Sequence, residues 1–261
     1  MSLVRQAKRL LSIPGPLMTG YYGAFLAKFF PRRHEQFVRS RLRGPYRGPL
    51  VEELEAALAE LDRSQDQGSV METASTAIGR ALVRGDFDRW IKEGPRAGRK
   101  ATLIECADFL PGRSWKLQLF FIDEGHSHPP HSHTDVTSCL VVADGKIHAR
   151  EYDRFHDKED DGRFAMLTLA SDRTLSRGDA LRTTRTSNNV HWFGAVNGPA
   201  AAFNFQAVGY TRGRRPLEAR RIYVDPTGIG RQGPHRAPLL DRKEAKRRFA
   251  RHPVADFPLK P

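Results

Sequence analysis

Between residues 101 and 224 the chain breaks into nine short apolar runs separated by turn signals, and this texture limits the folds open to it. The runs cover 101–106, 114–122, 137–143, 146–152, 164–170, 180–184, 190–196, 201–208 and 221–224, each rich in Leu, Val, Ile, Phe or Thr. Asp123-Glu124-Gly125, Asp144-Gly145, Asp160-Asp161-Gly162, Arg177-Gly178-Asp179 and Asn197-Gly198-Pro199 punctuate them. Many short strands at regular spacing predict an all-β sandwich or barrel. No Gly-rich loop links a strand to a helix, which argues against a nucleotide-binding α/β fold. No internal repeat is evident.

Upstream the pattern is helical. Leu54, Leu58 and Leu61 recur at helical spacing within 51–63, and a second helical period runs over 70–93 with Trp90 and Ile91 late in it. Gly94 and Pro95 stop it, and the basic stretch 96–100 is the expected boundary. Beyond Asp225 the chain is rich in Gly, Pro and Arg, with one basic helix expected over 241–251 and a tail after it. The expected organisation is therefore a helical, basic region over 1–99, a β-domain over 100–225, and a basic Pro/Gly-containing tail over 226–261 with a short helix.

The chain of 261 residues has a formal net charge of +13, distributed unevenly. Residues 1–50 carry net +9, residues 51–210 net −5, and residues 211–261 net +9. A mildly acidic centre between basic flanks argues against a nucleic-acid-binding core. The flanks are instead expected to be solvated or to touch an anionic surface. Residues 10–31 hold one charge, Lys28, but Pro14, Pro16, Gly15, Gly20 and Gly23 interrupt the run. It reads as helices packed on the domain or an interfacial segment rather than a span. Two cysteines, Cys106 and Cys139, exclude a disulfide scaffold and fit a reducing, cytoplasmic setting, with peripheral membrane contact left open.

The chemistry concentrates in Gly125-His126-Ser127-His128-Pro129-Pro130-His131-Ser132-His133-Thr134-Asp135, with four histidines in eight residues. A His-x-His pair at the start of a strand puts His131 and His133 on one face, where two imidazoles can chelate one divalent ion. His191, within Asn189-Val190-His191-Trp192-Phe193, is the candidate third ligand. Asp135 is an alternative carboxylate ligand. His126 and His128 read as a loop ordered by the prolines, or as further ligands.

His131-Ser132-His133, then Gly145, Gly178 and the lone His191, resemble the two metal motifs of the cupin superfamily. The resemblance implies a mainly β fold: a small β-barrel, the double-stranded β-helix, with metal ligands from opposite walls. Most cupins add a Glu a few residues after the second His; here Asp135-Val136-Thr137-Ser138-Cys139 has none. Glu124-Gly125-His126 with His131-Ser132-His133-Thr134-Asp135 resembles the metal segment of cysteine dioxygenases. The stretch from Asn189 through Ala201 looks more like the cysteamine dioxygenase and plant cysteine oxidase branch. The resemblance covers roughly 101–225, about half the chain. It implies Fe(II) held by His131, His133 and His191, a small thiol or thiol-bearing peptide and O2 as reactants, and a sulfinic acid product. Cupins often pair, so a homodimer is the expected assembly.

The sequence also departs from that pattern. Glu105 stands where the free-cysteine enzymes place a carboxylate-binding Arg, with Arg113 nearby. Ser138 stands at the crosslinked cysteine, with Cys139 beside it. Ala202, Asn204 and Gln206 replace the Ser-His-Tyr relay, and Tyr210 comes later. These departures leave a larger thiol, a peptide thiol or a non-thiol ligand open. Cys139, Trp192, Gln206 and Tyr210 are the candidate pocket residues, Trp192 also reading as core packing. The rival function is a metal-occupied cupin that senses or scaffolds without turnover.

Overall fold

The computed structural model describes residue 46 and residues 48–96, 101–110, 113–133, 136–155, 163–210 and 221–260. The segment 10–31 and Asp135 lie outside them, and the side chains of β1 are not described.

Three helices lead in: α1 (Leu50–Ser64), α2 (Gln67–Val83) and α3 (Asp88–Arg96). Leu50, Leu54, Leu58 and Leu61 form the buried stripe of α1, as the spacing predicts. Gln65 closes α1 in the left-handed conformation, and the Asp66 carboxylate caps α2 by accepting from the Ser69 amide. The single helical period over 70–93 is divided. Gly85, at φ 78°, takes the left-handed turn that ends α2 before α3 begins.

Eleven strands follow: β1 (Ala101–Leu110), β2 (Arg113–Ile122), β3 (Ser127–His133), β4 (Val136–Asp144), β5 (Ile147–Phe155), β6 (Phe164–Leu175), β7 (Ala180–Thr183), β8 (Val190–Ala195), β9 (Ala200–Val208), β10 (Arg221–Val224) and β11 (His235–Leu240). A five-stranded sheet runs β1-β2-β9-β4-β7, and β10-β11-β6-β5-β8-β3 form a closed barrel. The two share a core of Ile122, Leu140, Val142, Ala149, Phe193 and Ala202, among others. This is the mainly β, double-stranded β-helix class, preceded by helices. Gly145, at φ 69°, makes the β4–β5 turn, where a Cβ would stand 2.4 Å from the Pro199 carbonyl.

Within the five-stranded sheet, β4 and β9 are buried on both faces. Trp115, Leu117, Val141, Phe203 and Phe205 pack against α1–α3, and alternate residues face the barrel. Both faces of β4 are therefore buried, and only Asp144 at its end is exposed.

The region expected as a tail after 225 is part of the fold. β11 pairs with β6 and β10, and helix α4 (Arg242–Phe249) packs on β3. Phe249, Val254 and Phe257 cover the outer face of β8 through Trp192. The Pro/Gly-rich composition that suggested a tail supplies turns around these elements instead. Among the described residues no helix is long and apolar enough to cross a membrane.

Candidate metal centre

His131 and His133 lie near the end of β3 rather than at the start of a strand, and β8 supplies His191. The β3–β8 register sets His131 directly opposite His191, so both rings project to the same face of the barrel wall. One ligand atom from each of the three rings can be chosen so that all lie within 4.8 Å of one another. The Nε2 atoms of His131 and His191 are 3.2 Å apart. Nitrogens bound ~2.0–2.1 Å from one ion at tetrahedral or right angles stand roughly 2.9–3.4 Å apart. Among the described residues the buried His133 Nε2 has no hydrogen-bond partner. A divalent ion would satisfy it.

The outer contacts orient the rings. The Pro129 carbonyl, 2.7 Å from His131 Nδ1, can only accept, so Nδ1 carries the proton and Nε2 presents a lone pair. Thr183 Oγ1 lies 3.2 Å from His191 Nδ1. Burial holds His131 and His191 well below the usual imidazole range, and the neighbouring rings and Arg221 add to this. Burial, with Arg221 and Lys116, pushes His133 down to about 3. The rings are therefore neutral, the form a metal requires.

The chamber above the rings is lined by Ser138 and Leu140 of β4, Thr183 of β7, Phe193 of β8, and Asn204 and Gln206 of β9. Gln206 is thus on the wall. The other three candidate pocket residues are not. Cys139 faces the helix-side core, and burial pushes its thiol up to about 12. Strand alternation turns Ser138 inward in its place. Trp192 points outward beneath Phe249 and Phe257, donating its indole N–H to Ser127 Oγ, while Phe193 faces inward. Tyr210 lies in the helix-side core.

His128, read mainly as loop, is on β3. Its ring stacks on Phe193 at 4.8 Å and tilts against Phe120, and burial, aided by Arg221 and Lys246, pushes it down to about 4. His126 is exposed. Phe120, Leu181 and Arg221 complete the lining. Arg221 opens β10 opposite His133 and follows a long basic stretch, so no local pattern marked it.

No family model matches the chain, and no curated protein matches it. Solved structures resemble it in fold alone. A double-stranded β-helix protein from Klebsiella pneumoniae is 12% identical over 41% of this chain and 75% of that one, with a TM-score of 0.30. A cupin-2 domain protein from Shewanella frigidimarina is 13% identical over 40% and 76%, with a TM-score of 0.26. Procruciferin, an 11S globulin from Brassica napus, is 16% identical over 35% of this chain, which spans 20% of that longer protein, with a TM-score of 0.27.

Proposed function

We propose that the protein is a mononuclear iron(II) oxygenase that converts a thiol to a sulfinic acid with dioxygen. The observation that carries this reading is the convergence of three neutral imidazoles, His131, His133 and His191, on one point at the base of a small chamber. A bound ferrous ion supplies a site for the thiol as thiolate and the redox chemistry that activates dioxygen. Overall, two S–O bonds form while the O–O and S–H bonds break. Sulfur supplies every electron that dioxygen takes up, so no co-reductant is needed, and the thiol proton leaves with the sulfinic acid.

The side chains of this protein provide orientation and dryness. The Pro129 carbonyl and Thr183 hold two of the rings in place. Phe120, Leu140 and Phe193 are the apolar part of the chamber lining and exclude water from it. Ser138, Asn204 and Gln206, on the neighbouring strands β4 and β9, offer hydrogen bonds within the same lining.

The test is metal analysis of anaerobically purified protein followed by oxygen-electrode traces. Cysteine, cysteamine, 3-mercaptopropionate and a peptide with an N-terminal cysteine serve as substrates. Near-stoichiometric iron and thiol-dependent oxygen uptake that disappears in His131→Ala are the expected results. Uptake that survives His131→Ala overturns the reading. Zinc or nickel without uptake replaces it with the rival reading, a metal-occupied protein that senses or scaffolds without turnover.

A further inference from the structure

The chamber at the imidazoles has a volume of about 20 Å³, room for roughly one water. The groove outside it is far larger, about 530 Å³. His128, His131 and Arg221 line both spaces. A ligand that reaches the imidazoles therefore enters with its reacting group alone and leaves its body in the groove.

The groove is charged unevenly. Arg221 stands across the β3–β10 pair from His133, so its side chain shares the imidazole face. Arg242 and Lys246, one turn apart on α4, face the same groove. Among the described residues none of these three side chains has an ion pair or hydrogen bond. The other arginines of α4 are paired, Arg247 with Glu244 and Arg248 with Asp225. Arg247 and Arg248 are thus matched with acids while the groove-facing Arg242 and Lys246 are not; among the described residues the exposed Lys243 is unmatched as well. The two acids of the lining, Asp123 and Asp144, belong to the end built by β2, β4 and β9, where Asp144 pairs with Ala201 and Ile122 with Ala200. The cationic end is the one that adjoins the three imidazoles.

We propose that this groove holds the body of the substrate, a small organic molecule whose carboxylate or phosphate is bound by Arg221, Arg242 and Lys246 while its other end enters the chamber. The proposal rests on the oxygenase reading only in taking that other end to be a thiol. Arg242 and Lys246 lie beyond the stretch that the thiol dioxygenase resemblance covers. The C-terminal region accordingly supplies specificity as well as packing.

The test is calorimetric titration of the full chain with glutarate, glycerol 3-phosphate and uncharged glutaramide, at low and high salt. At least one anion is expected to bind, weakening with salt, and glutaramide is expected not to. Affinity should fall about tenfold in Arg221→Gln and in Arg242→Gln/Lys246→Gln, as for loss of a charge-assisted hydrogen bond. Which anion binds more tightly distinguishes a carboxylate from a phosphate ligand. Failure of both anions to bind, or equal binding by the variants with unchanged melting temperatures, overturns the proposal. A companion titration follows the thiolate-to-cobalt band of the cobalt(II)-loaded chain with 2-mercaptoethanol and with mercaptosuccinate. Anion binding with no such band from either thiol retains the groove and rejects the thiol reading. Equal bands from both thiols without anion binding do the reverse.

Discussion

Thr183 Oγ1 lies 3.2 Å from His191 Nδ1, so the hydroxyl fixes the ring whose opposite nitrogen faces His131. Both groups are buried, and water does not compete for the contact. Thr183→Val keeps the shape and removes the hydroxyl. Metal affinity, measured by competition with a chelator, should fall roughly tenfold to a hundredfold, the usual effect of losing a contact behind a metal ligand. Unchanged affinity would mean that His191 is positioned by packing alone.

The metal-free protein should lose stability as pH falls below about 6.5. In the unfolded chain each histidine takes up a proton near that pH, whereas burial keeps His128 neutral down to about 4 and His133 down to about 3. Unfolding then binds protons, so stability rises with pH through this window and the acid penalty is absent above it. Each histidine that stays neutral contributes ~1.4 kcal/mol per pH unit. Guanidinium titrations at pH 7, 6 and 5 read the slope. His128→Phe, which keeps an aromatic ring between Phe120 and Phe193, should flatten it by one proton's worth. An unaltered slope in that variant would refute the assignment.

Cys139 is separated from the imidazoles by the thickness of the five-stranded sheet. Cys139→Ala should leave thiol-dependent oxygen uptake unchanged while lowering stability by about 1 kcal/mol, the cost of a small cavity in the helix-side core. A loss of turnover with the fold intact would bring the sulfur back into the chemistry.

Trp192 anchors the C-terminal segment rather than the pocket. It is fully buried against Phe249 and Phe257, and Arg150 donates to the Phe257 carbonyl from beneath. Trp192→Ala should cost about 3–5 kcal/mol and expose 242–260 to limited proteolysis, with metal still bound by the isolated folded protein. Resistance to protease equal to that of the parent would contradict this anchoring.

The strands and the ligand pair are legible in the sequence because their signals are local. Turn residues bracket each apolar run, and a spacing of two fixes His131 and His133 to one face whatever surrounds them. The split at Gly85 was not legible, because a glycine in a helical period is tolerated as often as it ends one. The facing of Cys139 and Trp192 depended on tertiary structure for a different reason. A strand covered on one side shows which face is wet by its polar alternation. Here α1–α3 cover one face of β4, and Phe249 with Phe257 covers the outside of β8, so both faces of each strand are buried and no wet face sets the phase. Ser138 and Phe193 were thus one residue away from the positions the sequence singled out. The grouping of Arg221 with Arg242 and Lys246 was equally out of reach, since it comes from β10 pairing with β3 and α4 packing on β3. Local periodicity specified the elements and the ligand pair; which residues share a chamber was decided by contacts between segments far apart in the chain.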